Sequence, residues 1–206
     1  MDDLVLREWS EACALVEAAL ASPDPDAYFN VRSRWRRVEE IVHAVLGDAA
    51  AQALVHDEAP YLRALAARDS GVGSELLERV CTDAALIVRL SVASNPATPP
   101  TALAAMYHDA TWHVRVELAD NPSSPSWLVT SLAGDRSQRV RAAVAGSPTA
   151  PTDTLGKLAA DPDWHVRAAL AANKALSRFK LRQLADDSDM RVVAAARKTL
   201  ATVPFT

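Results

Sequence analysis

The side chains able to do chemistry in this 206-residue sequence are regularly spaced, and the spacing limits what they can do. Aspartate recurs at Asp83, Asp109, Asp135, Asp161 and Asp187, and arginine follows six residues later at Arg89, Arg115, Arg141 and Arg167. A carboxylate beside a guanidinium could serve acid–base or anion-clamping chemistry, but an active site needs one such pair and here a copy stands every 26 residues. Repetition of this kind points to a structural ladder, with each aspartate ending a turn or capping a helix and each arginine reaching the aspartate of its own or a neighbouring unit. The sequence holds no GxSxG, no glycine-rich phosphate loop and no HExxH, and His43, His56 and His108 have no nucleophile beside them. No catalytic residue and no cofactor is assigned.

A metal site fares no better. Cys13 and Cys81 stand 68 residues apart with no Cys or His grouping around them. His113 and His165 are two units apart, roughly 15–20 Å if neighbouring helices pack at ordinary distances, whereas zinc ligands must share one ion.

The elements that must position these residues follow from the same period. Leu77-x-x-Val80, Leu103-x-x-Met106, Val129-x-x-Leu132, Leu155-x-x-Leu158 and Leu181-x-x-Leu184 start 26 residues apart without a gap, and Val88, Val114, Val140, Val166 and Val192 keep the same register. One step back, Leu54, Asp57, Leu62 and Arg63 mark a degraded first unit, giving six units over residues 51–206. The last unit departs from the pattern, with Val193 in the arginine position. Alanine stands four residues after each arginine position, at Ala67, Ala93, Ala119, Ala145 and Ala171, where it would let helices approach closely. A unit this short cannot bury an apolar face alone, so stacking supplies the core.

Punctuation predicts two short helices per unit. Thr98-Pro99 and Ser124-Pro125 suit an N-cap hydroxyl and a first-turn proline ahead of the first helix, and Asp161-Pro162 the same ahead of the second. Asn95-Pro96 and Asn121-Pro122 suit the end of the second helix, where asparagine tolerates the left-handed conformation. Residues 1–50 stand outside the register. Leu4, Leu6, Trp9, Cys13, Leu15, Val16 and Leu20 approximate one helical face, and a second helix over Asp26–Leu46 completes an N-terminal cap.

This pattern resembles a HEAT-like α-solenoid, and most closely the variant leucine-rich repeat family, through Asn-Pro-x-Thr-Pro, Leu-x-x-Leu and Asp-x-x-x-x-Val-Arg; Asn95–Pro99 is the best copy of the first motif. The resemblance implies an all-α, right-handed solenoid of paired short helices, and binding rather than a defined reaction. A member of that family carries an N-terminal iron–sulfur module on clustered cysteines, which this sequence lacks, so no redox role comes with the resemblance.

Repeat proteins bind through positions that the framework leaves free. At the start of the second helix these read Trp112, His113, Arg139, Trp164, His165 and Arg191, with Trp-His-Val-Arg occurring twice. Together they form a candidate stripe of anchors on the concave face for a protein partner, rich in the residue types that dominate interfaces. A second reading is a nucleic-acid-binding solenoid: Arg32-Ser33-Arg34-Trp35-Arg36-Arg37 could contact phosphate, and in a DNA-glycosylase-like version Trp112, Trp164 and Glu117 would line the groove. Glu39 and Glu40 can pair with those arginines along the helix, and the 51–206 array carries a net charge of only +1, a weak grip on phosphate. The net charge of −4, the acidic Met1-Asp2-Asp3 start and the lack of an apolar run near ~18 residues lead to the expectation of a cytoplasmic chain with no membrane contact.

Overall fold

A computed structural model describes residues 3–24, 26–31, 54–69 and 71–202. Every regular element among them is a helix. The described chain divides into two compact units, Met1–Ala105 and Met106–Thr206.

The 26-residue period of the sequence is the period of the helices. The second helix of each repeat runs Pro60–Arg68, Leu86–Ser94, Trp112–Asp120, Gln138–Gly146, Trp164–Ala172 and Met190–Thr202. The first helix of each repeat runs Ser74–Val80, Pro100–Ala105, Ser126–Leu132, Thr152–Leu158 and Arg178–Leu184. Helices of two turns are not stable alone, so packing must hold them. In the first unit Pro60–Arg68 lies against Leu86–Ser94; in the second, Trp112–Asp120, Gln138–Gly146, Trp164–Ala172 and Met190–Thr202 pack in series. The period-26 valines, Val88, Val114, Val140, Val166 and Val192, are fully buried, as are all five alanines from Ala67 to Ala171. A methyl in place of a longer side chain is what allows these helices to lie so close. The Leu-x-x-Leu residues fill the space between the two helices of a repeat, from Leu77 and Val80 to Leu181 and Leu184.

In the first unit the Asp3–Ala21 helix lies on Pro60–Arg68 and Leu86–Ser94. Trp9 is fully buried and its Nε1 donates to the Tyr61 carbonyl at 2.6 Å. Cys13 and Val16 share that face, whereas Leu15 is exposed, so the apolar stripe is narrower than the sequence suggests. Burial pushes the Cys13 thiol up to about 12, making it an inert core residue. Residues 27–31 are helical and Tyr28 is buried; the rest of the expected Asp26–Leu46 helix lies outside the described residues.

The punctuation works differently from the expectation. No described residue has a positive φ. Asn95 is extended, at φ −73° and ψ 120°, so it does not close its helix by a left-handed turn. Thr98 and Ser124 do not cap the following helix either: their hydroxyls donate back to the carbonyls of Val92 and Leu118, both at 2.6 Å. The N-cap positions of Ser126–Leu132 and Thr152–Leu158 fall instead on Pro125 and Pro151, whereas Ser177 does cap Arg178–Leu184 by accepting from the Lys180 amide. Before Trp164–Ala172 the capping side chain is Asp163, which accepts from the His165 amide at 2.8 Å.

Candidate interaction surface

The Asp–Arg series is a set of rungs joining successive repeats. In the first unit the Arg63 guanidinium makes two bonds to the Asp83 carboxylate, at 2.8 and 2.9 Å. In the second unit Arg115 does the same to Asp135, Arg141 to Asp161 and Arg167 to Asp187, with Nε–Oδ2 distances of 2.6, 2.7 and 2.8 Å. The remaining arm of each arginine donates to the carbonyl of the aspartate six residues before it, as Arg141 does to Asp135 at 3.0 Å. Each aspartate also accepts from the amide two residues on, as Asp161 does from Asp163. Arg89 uses this same arm on the Asp83 carbonyl, and Asp109 accepts from the Thr111 amide. Burial raises the Asp83, Asp135 and Asp161 carboxyls, but the bonds from arginine and backbone outweigh it and hold them below the ordinary value; for Asp187 the arginine bond is the leading cause. Carboxylates held in this way are poor proton donors or acceptors at neutral pH.

A second set of rungs had no sequence forecast. Asn95 Nδ2 donates to the carbonyls of Ala67 and Asp69, and Asn173 Nδ2 to those of Ala145 and Ser147, at 2.8 and 3.0 Å in both cases. Each asparagine thus satisfies the orphan carbonyls at the end of the previous repeat's second helix, while its Oδ1 accepts an amide of its own turn. The recurring Asn-Pro carried the signal.

The six stripe residues start second helices of the second unit and form two columns of three. Trp112 stacks on His113 with ring centroids 3.5 Å apart, and the Arg139 guanidinium of the next repeat lies 5.2 Å from the Trp112 centroid. Trp164 stacks on His165 at 3.6 Å, and the Arg191 guanidinium lies 3.3 Å from the Trp164 centroid. The environments differ. His113 is buried, and burial together with the Arg139 charge lowers its pKa to about 4, so it is neutral at physiological pH. His165 is exposed, with Nδ1 2.9 Å from Asp163 Oδ1. Arg191 is also exposed and binds Asp189 at 2.6 and 2.9 Å. That bond from Arg191, with its backbone amide, brings the Asp189 carboxyl down to about 2. Glu117 is almost fully buried, so it lines no open groove. The Arg32–Arg37 cluster lies outside the described residues.

Among the described residues no group of three or more His, Cys, Asp or Glu side chains is arranged to hold a metal ion. An open cleft of about 390 Å³ lies beside Tyr107, His108 and Arg136, but Asp109, Asp135 and Arg115 on its wall are all engaged in the rungs. No described helix is long and apolar enough to cross a membrane.

Short helix pairs at a fixed period, tied by repeated side-chain rungs, define a helical-repeat protein. Residues 139–163 and 164–189 match the leucine rich repeat variant family. A solved structure described as a leucine-rich repeat variant with a novel repetitive protein structural motif superposes with a TM-score of 0.57, at 26% identity, over 95% of this chain and 85% of that one. Two repeats of the chain thus match the leucine rich repeat variant family, and its helical-repeat fold is similar to that of the variant leucine-rich repeat structure. No curated protein matches it.

Proposed function

We propose that the chain is a non-enzymatic cytoplasmic scaffold or adaptor that binds a protein partner along the starts of its second helices, through Trp112, Arg139, Trp164, His165 and Arg191, with the buried His113 stacked on Trp112 as its support. The observation that carries this reading is the pair of Arg–Trp–His columns two repeats apart. Their residues take no part in the arginine or asparagine rungs, and stacking fixes each group before a partner arrives, which lowers the entropy lost on binding. Tryptophan and arginine held in this way are the usual anchors of protein interfaces.

The columns also argue against a base-stacking role. Each indole already has an imidazole and a guanidinium of the chain against its ring, whereas a nucleic-acid platform needs an open face. Among the described residues the rung carboxylates are engaged by arginine and backbone, and binding without bond making or breaking is the reading this supports.

The test is capture of partners from source-cell lysate, with and without nuclease, by the intact chain and by a Trp112→Ala/Arg139→Ala/Trp164→Ala variant shown to remain folded. A nuclease-resistant protein partner lost in the variant supports the scaffold. Nucleic acid retained by both chains would contradict it and turn attention to Arg32–Arg37.

A further inference from the structure

The last repeat carries a net positive charge in a chain that is acidic as a whole. Residues 173–202 hold seven basic residues, Lys174, Arg178, Lys180, Arg182, Arg191, Arg197 and Lys198, against three acidic ones, Asp186, Asp187 and Asp189, a net +4; with −4 for the whole chain, −8 remains on the rest. Two of those three carboxylates are already taken, Asp187 by Arg167 and Asp189 by Arg191.

Lys174, Arg182 and Arg197 are departures from the repeat. The places matching Lys174 hold Pro96, Pro122 and Pro148; those matching Arg182 hold Ala104, Thr130 and Gly156. Arg197 replaces the alanine that is fully buried in every earlier repeat, and it is exposed, as are Lys174, Arg182 and Lys198. Within this repeat Phe179 is 67% exposed, a large apolar group set between Arg178 and Lys180. The Arg178 guanidinium donates to the Leu200 carbonyl at 3.2 Å. That bond brings the start of the Arg178–Leu184 helix beside the end of Met190–Thr202, so Phe179 stands within about a helical turn of the level of Arg197 and Lys198.

We infer that the last repeat is a docking site for a short acidic segment of a partner protein, with Phe179 as the apolar anchor and Arg182, Arg197 and Lys198 as the groups that select carboxylates. Charge complementarity selects the occupant. A patch of one repeat with net +4 matches a short anionic segment, whereas a nucleic-acid strand running on along residues 106–172 would meet a net charge of −1 and gain no further phosphate contacts there. Among the described residues of this repeat Phe179 is the one exposed ring, too few for successive bases. Phe179, Arg182, Arg197 and Lys198 are not members of the Arg–Trp–His columns, so either proposal can fail without the other.

Random dodecapeptides displayed on phage are panned against the intact chain, an Arg182→Ala/Arg197→Ala/Lys198→Ala variant and a Phe179→Ala variant. All four substitutions fall on exposed side chains, and thermal melting checks that the fold is kept. The intact chain should select peptides rich in Asp and Glu with an apolar residue. Synthetic copies should bind either variant at least about tenfold more weakly, and should weaken further as salt is raised. The Trp112→Ala/Arg139→Ala/Trp164→Ala variant should retain them, which keeps this inference distinguishable from the scaffold proposal. Selection without acidic bias, no selection, or equal binding by the variants would overturn it. So would tighter binding of a thymidine oligonucleotide or of phosphatidylserine vesicles than of any selected peptide.

Discussion

Arg141 joins three points of the chain at once: its Nε and Nη2 bind the Asp161 carboxylate at 2.7 and 3.0 Å, and its Nη1 binds the Asp135 carbonyl at 3.0 Å. One guanidinium therefore ties the turn of its own repeat to the turn of the next. Both side chains are largely buried, so removing the arginine leaves a carboxylate without its counter-charge. Arg141→Ala should cost about 3 kcal/mol in urea unfolding, and Arg141→Lys should recover only part because an ammonium cannot fork. The double change Arg141→Ala/Asp161→Ala should cost less than the sum of the single changes by at least about 1 kcal/mol.

Asn173 donates to two buried carbonyls of the preceding repeat, and nothing else replaces those bonds. Asn173→Ala should destabilise by about 2–3 kcal/mol, and Asn173→Asp, nearly the same shape but without the donors, by at least as much at neutral pH. Hydrogen exchange should show earlier opening around Ala145 and Ser147.

Ala145 is fully buried where second helices meet. Ala145→Leu forces those helices apart and should cost about 1–3 kcal/mol or more, read as a lower Tm. The matching change at the sixth place is already present as exposed Arg197, so Arg197→Ala should leave Tm nearly unchanged.

Stability should fall in two stages on acidification. His113 has a folded pKa of about 4 against an ordinary 6.5, so between these values the unfolded chain binds more protons; this contribution is complete above about pH 6.5 and is lost as pH drops toward 4. The carboxyls of Asp83, Asp135, Asp161 and Asp187 are held below their ordinary 3.8, so their contribution is complete above that value and is lost as pH falls through the lower folded values. Urea titrations from pH 8 to 3 should show both stages, and His113→Gln should flatten the first while leaving the second.

Much of this architecture is written in the sequence. A strict 26-residue register of leucine, valine, aspartate and arginine carries the helix pairs, because every repeat solves the same packing problem with the same residues. The direction of the arginine rungs was not legible: Asp135 and Asp161 are both within a few turns of Arg141 along the chain, and only three-dimensional stacking shows that the side chain takes the carbonyl of one and the carboxylate of the other. Asn95 was misread because Asn-Pro after a helix commonly signals a left-handed stop, whereas here a neighbouring helix end offers its carbonyls. Thr98 and Ser124 failed as caps for a related reason, their hydroxyls finding a nearer acceptor in the helix just finished. Trp112 and Trp164 stood out by their repeated Trp-His-Val-Arg, but their arginine partners lie 27 residues on, beyond any local pattern.

The arginine and asparagine rungs are the framework, and the Arg–Trp–His columns are the proposed binding stripe. The direct measurement compares partner capture and urea unfolding for Arg141→Ala and for Trp112→Ala/Arg139→Ala/Trp164→Ala, at a temperature where both variants are folded. The prediction is that Arg141→Ala loses stability and keeps the partner, while the triple variant loses the partner with much less change in stability. Capture that survives the triple change, or that disappears in a still-folded Arg141→Ala chain, would contradict the account.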